Sequence, residues 1–333
     1  MPVRTGVIGV GVMGAEHARM LSHLVSGSEV SAVFDVDRPR AETVATATGA
    51  RVFDDPMVLI KDDTVDAVLI ASSDQTHEQF VLACVAEGKP VMCEKPLAPD
   101  VEGCGRVLQA EADAGRRLVS VGFMRRYDPG YLDMRAALRS GELGRALVLH
   151  CVHRNAVATG QPSAMLISGS AVHEIDIARW LLDEELTSVT VHRPRPSSSS
   201  GALQDPMLLV FASERGALID VEVFINAGYG YEVGCELVGE RGTVLLDSPS
   251  PTLRRLGGQA SRAVPADWRP RFAEAYRREL QDWVDGVASD DPGRGATAWD
   301  GYAATAVAQA GILALQTGWP QDVALPDRPA LYR

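Results

Sequence analysis

The stretch Val-Ile-Gly-Val-Gly-Val-Met-Gly, from Val7 to Gly14, decides the fold of the first part of this chain. Its glycines, Gly9, Gly11 and Gly14, form the pattern G-x-G-x-x-G between an apolar run typical of a buried strand and a segment with helical spacing. The first glycine permits a tight turn, the second lets the backbone approach a pyrophosphate, and the third lets the helix pack against the strand. Unpaired amides at the helix N-terminus then bind the pyrophosphate. The stretch therefore predicts a dinucleotide-binding turn.

An acidic residue at the expected distance strengthens this interpretation. Asp35 ends a second apolar run, Val30 to Phe34, about 20 residues beyond the glycines. A carboxylate there accepts hydrogen bonds from ribose hydroxyls and repels a 2'-phosphate, so NAD is expected rather than NADP. Arg38 lies nearby and would favour a 2'-phosphate; the alternative is a solvated charge at the start of the next helix.

Composition excludes several classes of protein. The 333 residues, 46% hydrophobic and 23% charged, are typical of a soluble protein with two domains. The net charge of −12 disfavours nucleic acid and anionic membranes as partners. The five cysteines are scattered, without a C-x-x-C pair, and are expected to be reduced thiols. With no long apolar run and no leader-like N-terminus, we expect a cytoplasmic protein.

The order of apolar runs predicts two domains. Strands and helices alternate up to Gly122, which is typical of a doubly wound parallel sheet, a Rossmann fold. After Gly122 several alternating runs follow one another and predict a mostly antiparallel sheet in an α+β domain. We therefore expect an NAD-binding domain over residues 1–122. A domain for substrate binding and oligomerisation is expected over residues 123–333.

A lysine follows the fifth strand of the predicted parallel sheet, in Glu94-Lys95-Pro96. Ligands of open α/β sheets bind beyond the carboxyl ends of the strands. Lys95 is thus placed to orient and polarise a substrate hydroxyl or carbonyl. The alternative is a surface lysine in a turn.

A histidine opens a predicted helix, in Val-His-Glu-Ile-Asp from Val172 to Asp176. His173 and Asp176 are three residues apart and lie on one helix face. Imidazole is the usual proton acceptor when an alcohol is oxidised near neutral pH, and Asp176 would bind a substrate hydroxyl or the imidazole. The alternative is a histidine with a structural hydrogen bond. No metal is expected, because the second histidine of H-E-x-x-H is missing.

These motifs, in order along the whole chain, resemble the glucose-fructose oxidoreductase / inositol dehydrogenase / rhizopine catabolism family. Glu94-Lys95-Pro96 marks the family, whereas Phe-Met-Arg-Arg-Tyr-Asp, from Phe123 to Asp128, and His-Glu-Ile-Asp resemble its inositol branch. The resemblance implies a Rossmann domain followed by an open-faced antiparallel sheet that is often buried in a homotetramer. It also implies oxidation of a cyclitol's secondary alcohol, with hydride passing to NAD.

The resemblance also implies residue roles. Lys95 and His173 match the catalytic lysine and the histidine base. Five residues fall where the inositol branch contacts substrate: Met124, Asn155, Asp176, Tyr231 and Tyr276. The cofactor is expected to contact Gly9, Val10, Gly11, Val12, Met13, Gly14, Asp35, Arg38, Ala71, Ser72, Ser73, His77, Glu94 and Lys95.

One departure from the branch keeps alternatives open. An aspartate that supports proton removal lies four residues before the histidine in the branch, where this chain has Gly169. Asp176, Ser168 or Ser170 would then orient His173, or the substrate differs. The alternative substrates are an aminocyclitol, a sugar or a glycoside, and an NAD-binding sensor without turnover is the alternative of another class.

Overall fold

The computed structural model describes residues 1–157, 161–246, 252–291 and 293–333, which form two compact units. The first unit comprises Met1–Met124, Glu274–Thr305 and Pro326–Arg333. The second comprises Arg125–Ala273 and Ala306–Leu325.

The first unit contains an alternating series of strands and helices. In chain order these are β1 Val3–Ile8, α1 Val12–His23, β2 Ser28–Phe34, α2 Arg38–Thr48, β3 Arg51–Val52, α3 Pro56–Lys61, β4 Ala67–Ile70, α4 Asp74–Ala86, β5 Val91–Glu94, α5 Val101–Ala114 and β6 Val119–Gly122, followed by the 3-10 helix Met124–Tyr127.

The remaining elements are α6 Pro129–Arg139, β7 Ala146–Arg154, the π-helix Leu166–Ala171, α7 Val172–Leu182, β8 Leu186–His192, β9 Met207–Ser213, β10 Leu218–Phe224, β11 Glu232–Gly239, β12 Thr243–Leu245, β13 Arg254–Leu256, β14 Gln259–Ser261, α8 Trp268–Ser289, β15 Ala296–Thr297, α9 Ala298–Thr317, β16 Gln321–Asp322 and the 3-10 helix Ala330–Tyr332.

The sheet of the first unit has the strand order β15-β6-β5-β4-β1-β2-β3. The pairs among β1 to β6 are all parallel, and only β15 pairs antiparallel, with β6. All four residues of β4 are buried, as expected for a parallel strand covered on both faces. The predicted Rossmann sheet is therefore confirmed.

The first unit also takes in two segments that the sequence assigned to the second domain. The edge strand β15 pairs Ala296 with Val121 of β6. Near the C-terminus, the hydroxyl of Tyr332 donates a 2.6 Å hydrogen bond to Glu111, whose other oxygen accepts the amides of Leu118 and Val119. These long-range contacts draw the segments into the first unit. The division at Met124 lies beside the predicted boundary at 122.

The sheet of the second unit has the order β12-β11-β7-β10-β9-β8-β16. Its pairs are antiparallel except for β7 with β10. Burial alternates along β9 and β10, so one face is buried and the other half-exposed. This confirms the predicted mostly antiparallel sheet. The π-helix that runs directly into α7 was not predicted.

Candidate active site

The glycine turn has the steric properties expected of a dinucleotide-binding turn. Gly9 has a φ of +83°, and a Cβ on it would lie 2.5 Å from the backbone of Ser72. A Cβ on Gly14 would overlap the carbonyl oxygen of Gly9. At Gly11, by contrast, no described atom beyond the two adjacent residues lies within 4 Å of the Cβ position. Gly9 and Gly14 thus serve close packing, whereas Gly11 leaves open space beside the start of α1, as a pyrophosphate requires.

Asp35 holds the glycine turn in place. One carboxylate oxygen accepts the amide of Val10 at 2.8 Å, and the other accepts the amide of Asp37 at 2.8 Å. The arginine beside Asp35 is Arg40, whose Nη1 lies 3.5 Å from Oδ1. Arg38 instead pairs with Glu42 and Asp54 at an exposed position. The sequence pattern indicated Arg38 because it lies near Asp35 in the chain, and it did not indicate Arg40.

The loop after β4, which carries predicted cofactor residues, is linked through His77 to the loop that contains Lys95. Ala71, Ser72 and Ser73 connect β4 to α4. His77 is buried, with Nδ1 2.7 Å from the carbonyl oxygen of Pro96 and Nε2 3.2 Å from that of Ser72. Because carbonyl oxygens only accept hydrogen bonds, a hydrogen bond to either of them comes from a ring N–H of His77. His77 therefore links the loop after β4 to the loop after β5, at the carboxyl ends of neighbouring strands.

Lys95 begins the loop after β5, at the carboxyl edge of the sheet, as predicted. Its amide donates to Oε2 of Glu94 at 3.2 Å, and Oε1 of Glu94 lies 2.8 Å from Nε2 of His17. Burial alone would raise the pKa of Glu94. The hydrogen bond from His17 and the positive charge of Lys95 outweigh that effect and hold the pKa below its ordinary value. Glu94 is therefore an ionised group beside Lys95.

Two residues that were predicted to contact substrate lie in the first unit, and both are buried. Met124 is 2% exposed and begins the 3-10 helix after β6. Tyr276 is 6% exposed, and its ring meets the edge of His17 with centroids 5.6 Å apart. The first unit thus groups Lys95, Glu94, His17 and Tyr276, whereas the sequence did not single out His17.

In the second unit His173 lies in the first turn of α7, directly after the π-helix. Its Nδ1 is buried, and its ring stacks on His153 with centroids 6.3 Å apart and planes at 26°. Apart from its two neighbours and the helix's own backbone, no described atom lies within 4 Å of a Cβ built on Gly169. The Cβ of an aspartate would therefore meet open space at this position.

Two of the three groups expected to replace the missing aspartate, Asp176 and Ser168, have other partners. Asp176 is buried and accepts two hydrogen bonds from Arg126, Nε to Oδ2 at 3.0 Å and Nη2 to Oδ1 at 2.5 Å. The hydroxyl of Ser168 reaches the carbonyl of Ala164 at 3.5 Å. Asp176 therefore forms a bidentate ion pair, which the sequence did not predict.

A buried charged cluster adjoins His173. Arg125 pairs with Glu174, and Nδ1 of His153 lies 3.1 Å from both oxygens of Glu174. Burial opposes the charge of Glu174, but the positive charge of Arg125 and the hydrogen bond from His153 prevail and lower its pKa. The guanidinium carbon of Arg125 lies over the ring of Phe272, 5.4 Å from the ring centroid. The cluster fixes the imidazole on which His173 stacks.

The remaining predicted substrate residues also lie in the second unit. Asn155 follows β7; its amide donates to Phe224 and its carbonyl accepts from Ala227. Tyr231 is 5% exposed and meets the ring of His153 edge-on with centroids 6.0 Å apart. Tyr231 thus joins His153 and His173 in one aromatic group. The roles of these side chains stay predictions.

The described part of the chain lacks two features that other functions would require. It contains no group of three or more His, Cys, Asp or Glu side chains placed to hold a metal ion. None of its helices combines the length and hydrophobicity needed to cross a membrane.

Known families match most of the chain. Residues 3–123 match the family described as "Oxidoreductase family, NAD-binding Rossmann fold", and residues 131–245 match the "GFO/IDH/MocA C-terminal domain". The chain is 53% identical to inositol 2-dehydrogenase 2 of Saccharopolyspora erythraea, covering 100% of this chain and 98% of the relative. It is 44% identical to inositol 2-dehydrogenase of Klebsiella pneumoniae, with both chains fully covered.

A solved structure has nearly the same fold. Myo-inositol dehydrogenase from Lactobacillus casei, in complex with NAD(H) and myo-inositol, superposes with a TM-score of 0.97 at 36% identity and covers all of both chains. The similarity therefore extends over both units.

Proposed function

This chain belongs to the GFO/IDH/MocA family of NAD-binding oxidoreductases, and from that premise we propose that it oxidises a secondary alcohol of a myo-inositol-like cyclitol to the ketone. The observation that carries the substrate class is the full-length match to a dehydrogenase whose structure contains NAD(H) and myo-inositol. NAD, when bound, accepts the hydride from the carbon that becomes the ketone.

The first unit supplies the residues that would hold NAD. Gly11 leaves open space at the start of α1, where amide groups face an incoming pyrophosphate. Asp35, held by the amides of Val10 and Asp37, would accept hydrogen bonds from the ribose hydroxyls. Its negative charge disfavours a 2'-phosphate, so NAD is preferred over NADP. The open space at Gly11 and the fixed carboxylate both fit the dinucleotide.

Two side chains act on the alcohol, Lys95 as a hydrogen-bond donor and His173 as the proton acceptor. Lys95 Nζ donates a charge-assisted hydrogen bond to the reacting oxygen, which stabilises the negative charge that develops there. His173 takes the proton of that oxygen, and because its Nδ1 is buried the accepting atom is Nε2. The alcohol thus loses its carbon-bound hydrogen as hydride and its oxygen-bound hydrogen as a proton, and both are accounted for.

Gly169 supports a second candidate, the same reaction on a different substrate. The space left by the absent side chain adjoins the π-helix that leads to His173. A bulkier polar ligand, such as an aminocyclitol or a glycoside, would use that space. The proposed orientation of His173 then rests on His153, which Glu174 fixes.

We further propose a cytoplasmic homotetramer. The half-exposed face of the second sheet carries apolar side chains, Val148, Val152, Val210 and Phe224, between the hydrogen-bonded pair His150 and Asp220 and the ion pair of Arg154 with Glu222. A face that mixes apolar and paired charged groups suits a second copy of the same surface. Light scattering coupled to size exclusion should give four times the chain mass of 35.6 kDa.

A substrate panel tests the proposed activity. Purified protein is mixed with NAD and with myo-inositol, scyllo-inositol, an aminocyclitol or a set of sugars, and NADH absorbance is followed. We expect the highest kcat/KM with myo-inositol. A higher value with another compound would move the proposal to the second candidate. Tight NAD binding without turnover of any compound would overturn it in favour of a sensor.

A further inference from the structure

His17 lies where the cofactor turn meets the lysine loop. It is on α1, the helix that the glycine turn opens, and is 2% exposed. Its Nε2 lies 2.8 Å from Oε1 of Glu94, the last residue of β5. A single side chain therefore connects the helix beside the pyrophosphate position with the residue that precedes Lys95.

The carboxylate of Glu94 is held on both sides. Because Glu94 is ionised and only accepts hydrogen bonds, His17 carries its proton on Nε2. Oε2 takes the amide of Lys95 at 3.2 Å, and a Cβ on Gly122 would come within 3.2 Å of the same oxygen. The titratable groups that act on this carboxylate are His17 on α1, Lys95 beside it and His77 on α4.

A histidine at this position is unfavourable for folding alone. Its other nitrogen, Nδ1, is buried and has no hydrogen-bond partner among the described residues. A buried polar atom without a partner costs stability, so an apolar side chain would suit the fold better. Departures from local packing rules of this kind collect at functional sites. The ring also meets Tyr276 edge-on, a residue predicted to contact substrate.

We propose that His17 is a positioning residue of the dehydrogenase, which fixes Glu94 and, through it, the charge and geometry of Lys95, while its ring supports Tyr276. The inference rests on the proposed function, since Lys95 is the residue that holds the reacting alcohol. His17 itself does not touch substrate. Its loss would leave a buried carboxylate free to turn away from Lys95 or to take up a proton.

Three variants separate the hydrogen bond from the ring. His17→Phe keeps an aromatic ring against Tyr276 but removes the donor, whereas His17→Gln keeps a donor at the place of Nε2 but removes the ring. Glu94→Gln removes the charge that His17 is proposed to hold. All variants are first checked for folding by thermal unfolding and for NAD binding by fluorescence titration.

The expected result is a coupled loss. His17→Phe should lower kcat/KM for the cyclitol about tenfold or more, the effect of a hydrogen bond to a charged group. Its activity should also fall on acidification over a range in which wild-type activity stays constant, because burial without the His17 donor raises the pKa of Glu94. His17→Gln should recover most of the loss at pH 8. His17→Phe combined with Glu94→Gln should be no slower than Glu94→Gln alone.

A second readout does not depend on turnover. The carboxyl of Glu94 is titrated by carbon-13 NMR of glutamate-labelled protein, with Glu94→Gln to assign the signal. His17→Phe should raise the pKa of Glu94, because the hydrogen bond from His17 no longer offsets the effect of burial. An unchanged titration, kcat/KM within twofold of wild type, or losses that multiply in the double variant would overturn the positioning role. A wild-type protein that turns over no cyclitol but shows the shifted titration would refute the proposed function and leave the His17–Glu94 coupling intact.

Discussion

Alanine substitutions at Gly14 and Gly11 distinguish close packing from ligand approach. A Cβ on Gly14 would overlap the carbonyl oxygen of Gly9 and lie 2.9 Å from its carbon, so the backbone must shift. Overpacking of this kind costs about 3 kcal/mol at the upper end of its range, and a helical alanine returns about 1 kcal/mol relative to glycine. The net loss of about 2 kcal/mol should lower Tm by roughly 4–8 °C.

Gly11→Ala is the matched control. Gly11 has a φ of −65°, which alanine adopts without strain, and no described atom beyond the two adjacent residues lies within 4 Å of its Cβ position. Stability should therefore stay within about 1 kcal/mol of wild type. The added methyl group would occupy the approach of the pyrophosphate, so NAD affinity should fall about tenfold or more. Calorimetry gives Tm, and titration calorimetry with NAD gives Kd. Wild-type NAD affinity in Gly11→Ala, or an unchanged Tm in Gly14→Ala, would refute this account of the turn.

Three further predictions concern the charged groups. The Cβ added by Gly169→Asp would lie in open space, and the variant should raise kcat for myo-inositol about tenfold, as part of the roughly 10⁴-fold effect of a carboxylate partner. Unchanged NADH production would show that the departure is not limiting. Glu174→Gln should destabilise the protein by about 3–5 kcal/mol at pH 7 by leaving Arg125 buried without its charge partner. Because the pKa of Glu174 is lowered in the folded state, the stability that its charge contributes is present above its ordinary value of 4.5 and is lost as pH falls through the lowered pKa. In urea unfolding, the difference in free energy of unfolding between wild type and Glu174→Gln should therefore become smaller toward pH 3. A difference that stays constant with pH would contradict this prediction. Asp35→Asn should raise the ratio of kcat/KM for NADP to that for NAD about tenfold, and an unchanged ratio would exclude Asp35 as the discriminating charge.

The fold was largely predictable because its signals are local. The glycine turn depends on steric requirements within a few residues, and the uniformly apolar β4 and the alternating β9 follow the rules for doubly and singly covered strands. The short helix α3 and the strand β15 were not predicted. β15 has only two residues and exists because it pairs with β6, far away in sequence.

The candidate site was predictable only in part. Lys95 and His173 stand at positions that sequence patterns indicate, a strand end and a helix start. Their neighbours depend on tertiary contacts between distant segments. Neither the pairing of Asp176 with Arg126 nor that of His17 with Glu94 follows from spacing along the chain. A long polar side chain can contact groups several residues away in either direction along the chain. For the same reason, the arginine beside Asp35 is Arg40 rather than Arg38.

Removal of the two proposed catalytic groups tests the central claim most directly. His173→Asn and Lys95→Met are compared with wild type for NADH formation from myo-inositol and for NAD affinity. The account predicts that kcat falls about 10²–10⁴-fold in His173→Asn, and by a similar amount in Lys95→Met, while the Kd for NAD changes less than tenfold. Turnover at the wild-type rate in either variant would contradict it.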